Sequence, residues 1–307
     1  MRRTNVFLLA MILLLCLCSC ELSYQAPAVG KMRILAYGND YSYGSAVYYP
    51  NGEPYPDGAG KLYKTINDAV QVSRALSALA EKAGIECEMT CLVEGIDIYQ
   101  TTFLSKLDDF INSSEKEDIT IIYYSGHGVG NKKKVNYGDD TTIGSYLALR
   151  RDAVSTVLYP VSSLIEKVEK IDGIKIIIGD FCFSGALVKP GYLSVTSGDY
   201  LLMDSATLFS KYRDDICESS SMFCLSAARY NELSYEKNSL LHGDFTNALL
   251  EALGWDEENQ CLKAAAAEKD NMITLFEIAK YVTAHDGESK QTPMVSGGSN
   301  DIVLFSF

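Results

Sequence analysis

ITIIYYSGHG, residues 119–128, and IKIIIGDFCFSG, residues 174–185, are built alike: a short apolar run that breaks abruptly into glycine and polar residues. Ile119 to Tyr124 is apolar except for Thr120, and Ile174 to Ile178 reads as a second run of the same kind. Runs this short and this apolar are strands buried on both faces, the pattern of a parallel sheet covered by helices. If both strands are central and parallel, His127 and Cys182 emerge at the same carboxyl edge, where open α/β sheets bind their ligands. The spacing of 55 from one to the other leaves room for one right-handed crossover containing a helix.

Working outward, strand-like and helix-like segments alternate from Met32 onward, which predicts an α/β fold with helices on both faces of a mostly parallel sheet. Strands are expected at Met32 to Tyr37, Glu86 to Val93, Met222 to Ser226 and Ile302 to Phe307, making six with the two above. Ala69, Val72, Leu76, Leu79 and Ala83 recur at helical spacing, with Asn67 as the expected cap and Gly84 as the stop. Further helices are expected around Phe103, Leu107 and Ile111, at Val161 to Val168, at Phe245 to Leu253 and at Thr274 to Val282, the last opened by a Thr274/Glu277 capping box. Tyr41 to Gly60, Asn131 to Thr142 and Gly191 to Ser220 read as loops. No linker divides the chain.

The 307 residues are 47% hydrophobic and 22% charged, which excludes a mainly disordered chain. With 27 Lys and Arg against 40 Asp and Glu, the formal charge of -13 argues against a nucleic-acid partner held through its phosphates. Arg2 and Arg3 precede an apolar run from Val6 to about Leu17, the pattern of a bacterial export signal. The run closes on Leu17-Cys18-Ser19-Cys20, which resembles a lipobox and implies cleavage before Cys20 and acylation of its thiol. A signal cut nearby, leaving Cys20 a plain thiol, and an uncleaved anchor are the alternatives. The expected organisation is a lipoprotein signal at 1–19, a tether at 20–31 and one domain at 32–307. The protein would then be exported and held by lipid on the extracytoplasmic side of a membrane.

A thiol beside an imidazole is the minimum apparatus for nucleophilic acyl transfer, because the base helps to form the thiolate and later protonates the leaving amine. Either residue alone is more simply structural, a small buried hydrophobe or a satisfied polar group. Their joint position at two strand ends, each wrapped in small residues, favours chemistry. Other chemistries fit less well. Gly126-His127-Gly128-Val129-Gly130 lacks the third glycine of a dinucleotide loop, and Gly60-Lys61 is followed by Leu62 rather than the Ser or Thr of a P-loop. His127, His242 and His285 have no close ligand spacing, so no metal site and no required cofactor are expected.

These residues resemble the caspase-like superfamily of cysteine peptidases, nearer to its bacterial and metacaspase-type members than to animal caspases. Asp180-Phe181-Cys182-Phe183-Ser184-Gly185 is similar to the metacaspase D-x-C-x-S-G, although Phe183 stands where many relatives have His. The interval from His127 to Cys182 agrees with the family pattern of about 50 residues. Asn67-Asp68-Ala69, Ser226-Ala227-Ala228, His242-Gly243-Asp244-Phe245-Thr246 and Gln291-Thr292-Pro293 resemble further family segments in the right order.

The resemblance implies a three-layer caspase-like sandwich and an endopeptidase working through a thioester acyl-enzyme on peptide or protein substrates. His127 would be the base and acid, Cys182 the nucleophile, and the N–H groups of Gly128 and Cys182 the oxyanion hole. Asp68 and Asp180 would line the pocket for the residue before the cut, with Ser125 adding a neutral contact. Two carboxylates there imply a substrate Arg or Lys. Asp68 as a partner of its helix terminus is the alternative. Arg33, Arg74, Arg150, Arg151, Arg213 and Arg229 match no motif position that would serve an Asp-directed pocket. Lys211 and Arg213 are candidate self-cleavage points, and Lys132 to Lys134 read as a solvated loop. Asp139 and Asp140 make calcium possible without defining a site. A non-catalytic module that binds peptides in the same groove is the competing function.

Overall fold

Alternation along the strands sorts their side chains between two cores. Met32, Ile34 and Ala36 face one side of the first strand, Leu35 and Tyr37 the other, and all five are fully buried. Ile121 and Tyr123 against Ile122 and Tyr124, and Ile176 and Ile178 against Ile177, repeat the division. A strand apolar on both faces needs a helical layer on each, and the computed structural model has both. It describes residues 30–39, 41, 46–56, 58, 60–95, 98–130, 145–188, 222–237, 239–285, 291–296 and 302–307. Cys20 with its lipobox, the expected tether up to residue 29, Lys132 to Lys134, Asp139, Asp140, Lys211 and Arg213 lie outside the described residues, and Lys31 at the end of that tether already belongs to the first strand.

In chain order the elements are β1 (Lys31–Gly38), β2 (Ala46–Tyr48), α1 (Thr65–Lys82), β3 (Glu86–Leu92), α2 (Gln100–Ser113), β4 (Ile119–Ser125), β5 (Gly128–Gly130), β6 (Ser145–Arg150) and β7 (Ser155–Pro160). They continue with α3 (Val161–Val168), β8 (Ile174–Asp180), β9 (Met222–Ser226), α4 (Asp244–Leu253), β10 (Trp255–Asp256), β11 (Cys261–Leu262), β12 (Met272–Thr274), α5 (Leu275–His285), β13 (Met294–Ser296) and β14 (Val303–Ser306). The central sheet has the order β13-β9-β8-β4-β1-β3, parallel throughout except for β13. Helices α1, α4 and α5 cover one face, and α2 and α3 the other. Successive strands run outward in opposite directions from β1 and β4, so the crevice of the sheet opens between their carboxyl ends.

Three expectations need correction. Val303–Ser306 pairs antiparallel with β12 in a separate ribbon, and the sixth strand of the sheet is β13, a three-residue edge strand too short to carry a periodic signal. Asn67 is not a cap: α1 starts at Thr65, and the Asn67 amide donates to Glu257 at 2.9 Å. Tyr41 to Gly60 is not wholly loop, because β2 within it joins β7, β6 and β5 in a small four-stranded sheet. The Thr274/Glu277 box does open α5: the Glu277 N–H donates to Thr274 Oγ1 at 3.1 Å, and the Thr274 N–H to Glu277 Oε2 at 3.0 Å.

Candidate active site

Register places the two motifs side by side. Ser125, the last residue of β4, is the partner of Asp180, the last of β8, and Gly38 of β1 is the partner of Ser125. The next residues of each strand therefore leave the sheet together, and His127 and Cys182 both line the cavity beyond its edge. Tertiary contacts hold the His127 turn from below. The Tyr124 hydroxyl donates to the His127 carbonyl at 2.9 Å, and the Tyr41 ring stands edge-on to the imidazole with centroids 4.5 Å apart. His127 Nε2 lies 2.8 Å from the Gly60 carbonyl.

The Cys182 turn is fixed residue by residue. Phe181 is buried edge-on against Tyr124, at 5.3 Å between centroids. Phe183 adopts a left-handed backbone with φ of 64°, and its N–H donates to the Glu232 carbonyl at 2.7 Å. Buried Ser184 accepts the Ala228 N–H at 3.0 Å, which gives the Ser226-Ala227-Ala228 segment its structural role. A Cβ at Gly185 would approach the Tyr230 nitrogen to 2.5 Å, so only glycine fits there. Between these anchors the half-buried Cys182 Sγ donates to the Ser234 carbonyl at 3.7 Å.

Gly128 sits opposite Leu147 at a non-hydrogen-bonded position of the β5/β6 ladder, where the adjacent bond runs from the Ala148 N–H to the His127 carbonyl. The ladder thus leaves the Gly128 N–H unused. A Cβ at this residue would overlap the Cys182 carbonyl oxygen. Close approach of the two turns therefore depends on glycine here.

Burial depresses the His127 pKa, with the Gly60 bond opposing it, and raises that of the Cys182 thiol, with the Ser234 carbonyl opposing it. Both shifts favour a neutral thiol and a neutral imidazole at rest.

The cavity beside Cys182 is lined by Asp68, Ser125, Asp180, Ser234 and Glu236, and among the described residues no Lys or Arg lines it. Asp68 projects from the first turn of α1 without capping it. Its Oδ2 accepts the Ser125 hydroxyl at 2.8 Å, and its Oδ1 accepts His242 Nδ1 at 2.9 Å and the Gly243 N–H at 3.3 Å. Asp180 accepts Ser234 Oγ at 2.6 Å, Thr246 Oγ1 at 2.6 Å and the Thr246 N–H at 3.2 Å. Burial, joined by the negative charge of Asp68, pushes the Asp180 carboxyl up to about 7. Burial raises Asp68 and Glu236 as well.

Glu236, Ser234 and His242 were not expected as site residues. Glu236 and Ser234 lie in an irregular segment without periodicity, and nothing local marks them. His242 had a fainter signal, a Gly-flanked imidazole just before a helix in a chain with three histidines. The described arginines are engaged elsewhere: Arg33 bonds Asp118, Arg74 bonds Gln260, Arg150 caps the carbonyls of Asp152 and Ala153, and Arg229 pairs with Glu232. Cys87, Cys91, Cys182, Cys224 and Cys261 are free thiols. Among the described residues no group of three or more His, Cys, Asp or Glu is arranged to hold a metal ion.

A thiol and an imidazole at adjacent strand ends of a mostly parallel α/β sheet define a class, the caspase-like fold. The comparisons place the chain within it. The family model described as Caspase domain (Peptidase_C14) matches residues 51–301, and the chain belongs to that family. Among solved structures it is similar to a protein from Geobacter sulfurreducens, at 20% identity and a TM-score of 0.53, over 87% of this chain and 94% of that one. It is also similar to caspase-1 from Spodoptera frugiperda, at 10% identity and a TM-score of 0.51, over 92% and 93% of the two chains. The comparison with curated proteins gives no match.

Proposed function

We propose that this protein is a metacaspase-like cysteine endopeptidase that cuts after Arg or Lys. The observation that carries the specificity is the cavity beside Cys182, where Asp68, Asp180 and Glu236 converge with no Lys or Arg among the described lining residues. Three crowded, partly desolvated carboxylates repel one another, and a guanidinium or ammonium relieves that cost while donating hydrogen bonds to them. An aspartate side chain would add a fourth negative charge.

In the proposed mechanism His127 takes the thiol proton as Cys182 Sγ attacks the carbonyl carbon of the bond to be cut. The N–H groups of Gly128 and Cys182 receive the oxyanion. Collapse breaks the C–N bond, the imidazolium gives its proton to the departing amine, and a thioester remains. His127 then removes a proton from water, which attacks the thioester to release the acid and the thiol. Because thiol and imidazole are both favoured neutral at rest, proton transfer belongs to the attack rather than preceding it as a stable ion pair.

Export as a lipoprotein acylated at Cys20 belongs to the same proposal and rests on the sequence of residues 1–20. Cleavage of paired peptides differing only in Arg, Lys or Asp before the cut, by wild type and Cys182→Ala, tests the enzymatic reading. Cleavage after Arg and Lys that is lost in Cys182→Ala is the expected result. Preference for Asp overturns the specificity, and peptide binding without cleavage by wild type favours a binding module.

A further inference from the structure

His242 is 4% exposed and stands between two carboxylates. Nδ1 lies 2.9 Å from Asp68 Oδ1, and Nε2 lies 2.8 Å from Glu257 Oε2. A neutral imidazole carries one N–H, so in that form one nitrogen lone pair would face a carboxylate oxygen at hydrogen-bond distance. Two N–H groups satisfy both contacts, which requires the imidazolium. The proton is not shared out to Asp68, because Asp68 Oδ1 already accepts the Gly243 N–H and its Oδ2 accepts the Ser125 hydroxyl. Glu257 is braced in turn by Asn67 from the same helix as Asp68.

We propose that His242 is a specificity-positioning residue: a buried imidazolium, clamped between Asp68 and Glu257, that keeps the Asp68 carboxylate ionised and aimed at the cavity. This rests on the basic-residue reading of that cavity and deepens it. Among the described residues no cation forms an ion pair with Asp180 or Glu236, although the Lys64 charge acts on Glu236. Asp68 has one built into the fold.

The other charged groups around His242 do not take over its part. Lys64 Nζ reaches the His242 and Lys237 carbonyls, and Lys237 pairs with Asp244 at 3.4 Å. Asp180 approaches across Gly243, where a Cβ would stand 2.5 Å from its Oδ2, and Glu236 lines the same cavity. Burial alone would lower the His242 pKa, but the bonds and charges of Asp68 and Glu257 outweigh it and raise it above the ordinary imidazole value. Below that raised value the clamp is charged. Above it, one carboxylate loses its donor.

The chain has three histidines, so His127→Gln and His285→Gln assign the imidazole signals of the whole protein in a proton–carbon NMR titration. His242 is expected to titrate above the ordinary imidazole value, and Asp68→Asn and Glu257→Gln are each expected to lower that midpoint. A midpoint at or below 6.5, or one that ignores Asp68→Asn, overturns the clamp. In steady-state assays at pH 6.5, His242→Gln is expected to raise KM for an Arg peptide about tenfold with kcat little changed. Its loss should be smaller at pH 8.5, where Asp68 ionises without help. Alkylation of Cys182 by iodoacetamide, which has no side chain to place in the cavity, should keep its rate. Equal loss at both pH values, falling on kcat, would mark a merely structural role and overturn the proposal. If His242→Gln does not fold, Glu257→Gln at its more exposed position carries the same kinetic test. A high His242 midpoint in an enzyme that cuts no basic peptide supports the clamp while removing the substrate assignment.

Discussion

Replacing Asp180 with Asn should stabilise the protein, and by an amount that grows with pH. Asp180 is buried at the end of β8, and its carboxyl is pushed up from the ordinary 3.8 to about 7, by burial first and the Asp68 charge second. A carboxyl whose folded pKa is raised favours the protonated folded state. Stability from this group is therefore complete below its unfolded pKa and is lost as pH rises to the folded value. At 1.36 kcal/mol per unit, the loss amounts to about 4 kcal/mol above pH 8. Asn removes that titration and can keep the bonds: its oxygen accepts from Thr246 while its amide donates to the Ser234 hydroxyl, which can turn to accept. Any fixed cost of the amide is the same at every pH. The difference between variant and wild type should thus be about 2–3 kcal/mol larger at pH 8 than at pH 5. Urea unfolding of both proteins across that range, with a common m-value, measures it. A difference that stays flat from pH 5 to 8 would refute the account of Asp180 as a strained, desolvated acid. The same variant should lose cleavage after Arg and Lys, so that stability and activity move in opposite directions.

Other perturbations separate the site from its scaffold. Gly128→Ala drives a methyl into the Cys182 carbonyl and to 2.5 Å from the Phe181 ring, and should lower kcat/KM by about a hundredfold or more by displacing an oxyanion donor. Activity close to wild type would exclude Gly128 from that role. Arg33→Met strands Asp118, which is 4% exposed and bonded to Arg33 Nε at 3.2 Å. The Lys31 and Glu115 N–H groups still reach Asp118, so the cost should fall near the low end of about 3–5 kcal/mol by urea unfolding. Cleavage of an Arg peptide by the folded Arg33→Met protein should be unchanged, because this network lies at the amino end of the sheet. A selective loss of activity would contradict that separation.

The parallel arrangement of strands was legible because burial on both faces leaves an unmistakable composition. ITIIYY and IKIII could be placed as central strands, and β9 was bounded as observed, without any knowledge of their partners. The edge was not legible. A three-residue edge strand such as β13 gains its identity from pairing with β9, and the Ile302 to Phe307 run has the composition of a sheet strand yet pairs with β12. The four-stranded side sheet was missed for a similar reason, since its strands of three to six residues carry no two-sided apolar signal.

At the site, the sequence pattern marked His127 and Cys182, because both follow buried strands in turns of small residues, while Asp68, Ser125 and Asp180 were expected from the family resemblance. Tertiary structure alone decided what surrounds them. Glu236 enters the cavity from an irregular segment, and His242 reaches Asp68 across 174 residues of chain. A carboxylate's ionisation depends on which donors and charges the fold brings within about 3 Å and on how much water it excludes. Those distances belong to packing between α1, the end of β8 and the turn before α4, and no local pattern of residues encodes them.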